Sequence, residues 1–194
     1  HTPTRRQRQM CIRDSDIIND NFSKFNLQEN CRNPKRIIEE TNKITGTSIK
    51  NNVLGESPIP NYTFIDSDSP EMHAAELQNI LDNLVQERIP IEDICIISKC
   101  NQNKSCLHYL ASDTKKLIGE FRSPIKNYPF IRFYDVLSFK GQEAPFVILV
   151  DWYSDQSDKN ILNIFYSVLT RSTHSVYVVT SHKEQYLKTM VSHA

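Results

Sequence analysis

Residues 138–150 read SFKGQEAPFVILV: a polar turn built on Lys140, Gly141 and Glu143, followed by five apolar residues from Phe146 to Val150. A short unbroken apolar run bounded by polar residues suits a strand buried on both faces, as in a parallel sheet. Ile94–Ile97 and Val176–Val179 repeat the pattern. Between and before them lie helical stretches. Pro34 opens one that runs to about Lys43, and Gly46 ends it. Ser69 and Pro70 supply an N-cap and a first-turn proline for a second, with Ala74, Leu77, Leu81 and Leu84 at helical spacing through Glu87. A third spans Lys159–Leu169, and a weaker one covers 103–112. Leu27–Cys31, Tyr62–Asp66 and Phe130–Leu137 complete the strands, and residues 46–61 form a loop. Strands alternating with helices predict a three-layer α/β sandwich around a mostly parallel sheet.

The 194 residues suit one domain with a substantial core. A hydrophobic fraction of 39% with 24% charged residues marks a globular rather than a disordered chain. Phe146–Val150 is far too short to span a bilayer, and no apolar signal segment stands at the N-terminus. The five cysteines form no CxxC pair and no zinc spacing with histidine, so no metal site is expected. Reduced thiols point to an intracellular setting, cytoplasmic or nuclear. The four glycines cannot build a GxxxxGK[ST] phosphate loop, so this chain lacks that device.

Residues 1–15, HTPTRRQRQMCIRDS, are basic and aperiodic. A basic nucleic-acid arm is one reading. Arg5–Ser15 also resembles a translated sequencing adapter, which is the favoured reading, so 1–15 are expected to be an artefact and disordered. The segment holds four arginines and one aspartate; without it the 23 basic and 23 acidic residues become 19 and 22, a net charge of −3. Such a domain is not an evident stand-alone nucleic-acid binder. The remainder, 16–194, is expected to be part of a longer protein.

Three segments carry candidate chemistry. In 138–150, glycine at 141 lets backbone approach a phosphate, and the Glu143 carboxylate can accept hydrogen bonds from hydroxyls. In Ile164–Arg171, IFYSVLTR, a planar and permanently charged guanidinium ends a helix. In Leu27–Ile37, LQENCRNPKRI, Arg32 precedes another helix. Trp152 and Tyr153 follow the buried strand. Packing at its end is the favoured reading for both, with base stacking by Trp152 the alternative. His108, His174 and His182 read as surface residues.

Together these segments resemble motifs of UvrD/Rep-type superfamily-one helicases. Leu27–Ile37 is similar to motif IV, L-x-x-N-Y-R-[SN]-x-x-x-I. Lys140–Glu143 matches the K-G-x-E of motif V, and Ile164–Arg171 resembles motif VI, [LV]-[YF]-x-[AG]-[LM]-[ST]-R. They stand in family order, and the likeness spans Asn21 to Val179, with Ile89–Ser98 similar to a strand usual in that fold. It implies a RecA-like, P-loop-NTPase-like C-terminal motor domain. Only about 30 residues separate Ser98 from Phe130, so the large accessory insertion is missing, as in compact helicases of the group, including those fused to nuclease-related or schlafen-type modules. Asp135 and Leu137 stand where motif V often has threonine and histidine, and Val168 where motif VI has alanine.

The resemblance implies a function. ATP and Mg²⁺ would bind against an N-terminal RecA-like domain missing from this chain, which would hold the Mg²⁺ ligands. Arg171 and Arg32 would be the catalytic arginines. Lys140, Gly141, Glu143 and Tyr166 would contact the nucleotide, and Ser138 and Trp152 single-stranded DNA or RNA. A helicase or translocase results, with the isolated chain inactive. The rivals are a degenerate, non-hydrolysing scaffold and an unrelated α/β small-molecule binder.

Overall fold

The computed structural model describes residues 31–50, 54–100, 102–119, 129–136, 138–139, 141–153 and 161–181. Among the described residues five parallel strands form one sheet in the order β1-β5-β4-β2-β3. They are β1 (Asn61–Phe64), β2 (Ile94–Ser98), β3 (Arg132–Asp135), β4 (Ala144–Trp152) and β5 (Ser172–Thr180). The three apolar runs of the sequence are thus adjacent central strands. Among the described residues the helices are α1 (Lys35–Thr45), α2 (Pro70–Gln86), the single turn α3 (Ser112–Lys115) and α4 (Ile161–Leu169). The expected segments 1–15 and Leu27–Asn30, together with Leu137, Lys140 and His182, lie outside the described residues.

Successive side chains of a strand point to opposite faces, and both faces of this sheet are covered. Ile94, Ile96, Phe146, Ile148, Val150 and Val179 pack with Ala74, Leu77, Leu81 and Leu84 of α2. Cys95, Ile97, Val147, Leu149, Val176 and Val178 pack on the other face with Ile37 and Ile44 of α1 and Phe165, Val168 and Leu169 of α4. This two-sided burial is why the central strands are uniformly apolar instead of alternating. Fully burying one such side chain contributes about 1.5–3 kcal/mol.

Local signals set the ends of the helices. Gly46 closes α1 with φ 67°, a left-handed conformation that costs glycine little, and its N–H donates to the Asn42 carbonyl. The Ser69 hydroxyl accepts from the Met72 N–H at the start of α2. The weak helix expected over 103–112 is instead two 3₁₀ turns, Gln102–Lys104 and Cys106–Tyr109, followed by α3. The reason is a distant carboxylate. Asp151 accepts from the Ser105 hydroxyl at 2.6 Å and from the Cys106 N–H at 2.9 Å, taking both groups out of a continuous helix.

The short connection from β3 to β4 positions the site. Asp135 is level with Ser98, and Ser98 with Val150, near the carboxyl ends of the strands. The chain must return to Ala144, at the amino end of β4. It does so along the α1/α4 face, where Phe139 is buried and Val136 half-buried in that core. Glu143 is delivered to the amino edge, while Ser138 stays near the carboxyl edge.

Candidate functional site

Three charged residues meet at the amino edge. Glu143 immediately precedes β4, and Arg171 lies between α4 and β5. Arg32 leads into α1. Glu143 Oε1 lies 3.0 Å from Arg32 Nε and 3.9 Å from Arg171 Nη1. Two guanidinium groups thus share one carboxylate. The side chains are 49%, 41% and 27% exposed for Arg32, Glu143 and Arg171, so the cluster opens to solvent. Pairs this exposed contribute about 0–1 kcal/mol to stability. The cluster therefore does little for the fold, yet presents a cationic, forked donor surface suited to phosphate-like anions.

Backbone contacts tie the three residues together. The Ala144 N–H donates to the Arg171 carbonyl at 3.2 Å, linking the neighbour of Glu143 to Arg171. Asn33, next to Arg32 and only 1% exposed, donates from Nδ2 to the carbonyls of Thr170 at 2.9 Å and Ser172 at 2.7 Å. Those carbonyls flank Arg171. Sequence reading quoted Asn33 within its segment and gave it no role. The available signal was an asparagine at a position where the resembled motif carries Ser or Asn.

Gly141 has φ 89°, so the turn before Glu143 uses a conformation that favours glycine. Tyr166 is 41% exposed, and its carbonyl accepts from the Thr170 hydroxyl one turn before Arg171. Ser138 stands exposed, its N–H donating to the Asp135 carboxylate at 2.7 Å and its hydroxyl to the Asp135 carbonyl at 3.1 Å. Trp152 corrects one expectation. It is 1% exposed with its ring 4.1 Å from that of Phe165, so the indole fills the core and is not offered to a base. Tyr153 is buried as well. His108 and His174 are exposed, as expected.

A second polar cluster, at the carboxyl edge, was not anticipated. Asp151 sits in a register shift of β4 with φ 59° and is fully buried. Its Oδ2 accepts from the hydroxyls of Ser98 at 2.5 Å and Ser105 at 2.6 Å. Its Oδ1 accepts from the Cys106 N–H and the Tyr153 hydroxyl, both at 2.9 Å. Four donors compensate the desolvated carboxylate, and the Tyr153 phenol is held well above its ordinary value by burial and by this charge. His73 packs edge-on against Tyr153, with neither ring nitrogen hydrogen-bonded among the described residues. Burial lowers its pKa, partly offset by the charges of Asp151 and Asp68. The signal for this cluster was an aspartate directly after a fully apolar strand.

Among the described residues no group of three or more His, Cys, Asp or Glu side chains is placed to hold a metal ion, and no helix is long and apolar enough to cross a membrane.

Residues 130–179, which hold β3, β4, α4 and all but the last residue of β5, match the family model of the UvrD-like helicase C-terminal domain. The fold of the chain is similar to the C-terminal domain of a possible DNA helicase from Lactobacillus plantarum WCFS1, with a TM-score of 0.58 at 17% identity over 84% of this chain and 94% of that one. A PRRSV helicase structure matches with a TM-score of 0.38 at 10% identity, over 82% of this chain and 24% of that one. No curated protein sequence matches the chain. Of the three charged residues, Glu143 and Arg171 fall inside the matched segment, and Arg32 comes to them from outside it.

Proposed function

We propose that this helicase domain is the second motor domain of an ATP-dependent, intracellular helicase or translocase acting on single-stranded DNA or RNA. The observation that supports it best is the meeting of Arg32, Glu143 and Arg171 at one open edge from three distant parts of the chain. ATP and Mg²⁺ would bind between this edge and an N-terminal RecA-like domain, which would supply the phosphate loop and the metal ligands. The two guanidinium forks fit a polyphosphate. When present, Mg²⁺ offsets the charge of the phosphate oxygens.

In this reading Arg171 places a guanidinium on the γ-phosphate, where charge shifts during transfer, and Arg32 adds a second. Glu143 turns from the arginines to the ribose hydroxyls, and Gly141, with Lys140 beside it, brings backbone close to the nucleotide. Tyr166 packs from α4. Nucleic acid would cross the carboxyl edge near Ser138. Asp135, in place of the usual threonine, has its carboxylate engaged with the Ser138 N–H, so the strand contact there falls to other groups. That substitution is the observation favouring the second reading, a domain that binds without driving hydrolysis.

The experiment compares Arg171→Ala and Arg171→Lys in a protein joining this domain to its first motor domain. Arginine fingers contribute roughly 10³–10⁵ in rate, so Arg171→Ala should lower kcat by about that range with little change in nucleotide affinity. Lysine should restore only part of it, because an ammonium lacks the bidentate fork. Turnover that survives Arg171→Ala contradicts the assignment. The 194-residue chain by itself should not hydrolyse ATP; turnover by the pure chain, lost on mutating its own residues, contradicts the division of labour.

A further inference from the structure

We propose that Asn33 is a positioning residue that sets the two arginines in register with each other. It rests on the reading above, in which Arg32 and Arg171 share one anion. The Asn33 side chain is 1% exposed, and its single Nδ2 spans the carbonyls of Thr170 and Ser172 at 2.9 and 2.7 Å. These carbonyls bracket Arg171, and the residue before Asn33 is Arg32. One carboxamide therefore joins the backbone that carries the first guanidinium to the backbone on both sides of the second. The Ala144 N–H completes the linkage by donating to the Arg171 carbonyl.

The chemistry of the side chain matters. An amide nitrogen offers two donors from one atom, a serine hydroxyl offers one, and a carboxylate none. The need arises because arginine side chains are long and have many rotamers. Arg32 is about half exposed and Arg171 about a quarter, so packing alone does not fix where their forks meet. Fixing the two backbone anchors narrows the positions that both forks can reach together. Misplacement by about 1 Å can cost a reacting site roughly 10²-fold. Asn33 touches neither anion nor nucleotide in this scheme and acts only through its neighbours.

The test uses the 194-residue chain with inorganic tripolyphosphate as probe, followed through the side-chain Nε–H NMR signals of Arg32 and Arg171. Wild type should respond at both signals. Asn33→Ala should weaken binding by about tenfold or more, and the two signals should cease to titrate together. Asn33→Ser, which keeps one donor, should stay within about threefold of wild type. Ile37→Val, a mild core truncation on α1, controls for destabilisation and should leave binding unchanged. If Asn33→Ala fails to fold, the serine variant decides: a loss of affinity of up to about threefold with both signals still titrating together supports the role, and affinity unchanged from wild type overturns it. If Asn33→Ala binds as wild type does while Arg171→Ala abolishes binding, Asn33 has no positioning role and the proposed function stands. If wild type shows no response at either arginine, the anion reading itself is overturned.

Discussion

The Glu143 carboxylate lies 3.0 Å from Arg32 Nε, although the two residues lie far apart in the sequence. The same oxygen is 3.9 Å from Arg171 Nη1. A carboxylate between two exposed guanidinium groups neutralises them in part, and an incoming anion must compete with it. Replacing it should scarcely alter the fold. Glu143→Gln should shift the melting temperature by less than about 4 °C, because exposed pairs contribute about 0–1 kcal/mol and 1 kcal/mol moves a domain of this size by about 2–4 °C. Calorimetry checks this. A fall of ten degrees would make the cluster a structural brace instead.

Asp151 should behave in the opposite way. Asp151→Ala removes the acceptor for two serine hydroxyls, a tyrosine hydroxyl and a backbone N–H in the core. An orphaned buried group costs about 1–3 kcal/mol, and rotating hydroxyls recover some of it. A net loss of about 3 kcal/mol or more is expected in urea denaturation, against about 1 kcal/mol for Tyr153→Phe. Equal effects of the two variants would mean that Asp151 does not organise this edge.

His73 should make stability depend on pH. Burial is the main cause of its lowered pKa, with Asp151 and Asp68 opposing and the Tyr153 ring against it. A base with a depressed folded value favours the neutral form. Its contribution is fully present above the unfolded value of about 6.5 and is lost as the pH falls from there toward the lower folded value. His73→Phe keeps an aromatic ring and removes two buried nitrogens that lack hydrogen bonds. The variant should match or exceed wild-type stability, and the drop in melting temperature between about pH 7.5 and about pH 5.5 should shrink. An undiminished drop would place the titrating group elsewhere.

Much of the fold was legible in the sequence because burial on both faces leaves a plain mark. Ile94–Ile97, Phe146–Val150 and Val176–Val179 read as strands, and Gly46 and Ser69 marked helix ends. What failed depended on distant partners. The 103–112 segment has helical composition, but Asp151 pulls Ser105 and Cys106 out of line from 45 or more positions away. Trp152 could be read as core or as a base platform, and only the neighbouring Phe165 ring decides. At the candidate site, Arg32, Glu143 and Arg171 were legible through motif resemblance, since each is a charged residue in a recognisable pattern. Asn33 was not, because its importance lies in which carbonyls it reaches. Asp151 was overlooked because a single charge beside an apolar run resembles a strand's end.

The central claim is that Arg32 and Arg171 face the terminal phosphate of a shared nucleotide. The most direct measurement is a structure of the protein joined to its first motor domain, with a non-hydrolysable ATP analogue and Mg²⁺. The expected result is the γ-phosphate within hydrogen-bonding distance of both guanidinium groups, about 2.7–3.2 Å, with Glu143 turned away from Arg32 toward the ribose. A nucleotide bound away from this edge, with Arg32 still paired to Glu143, would contradict it.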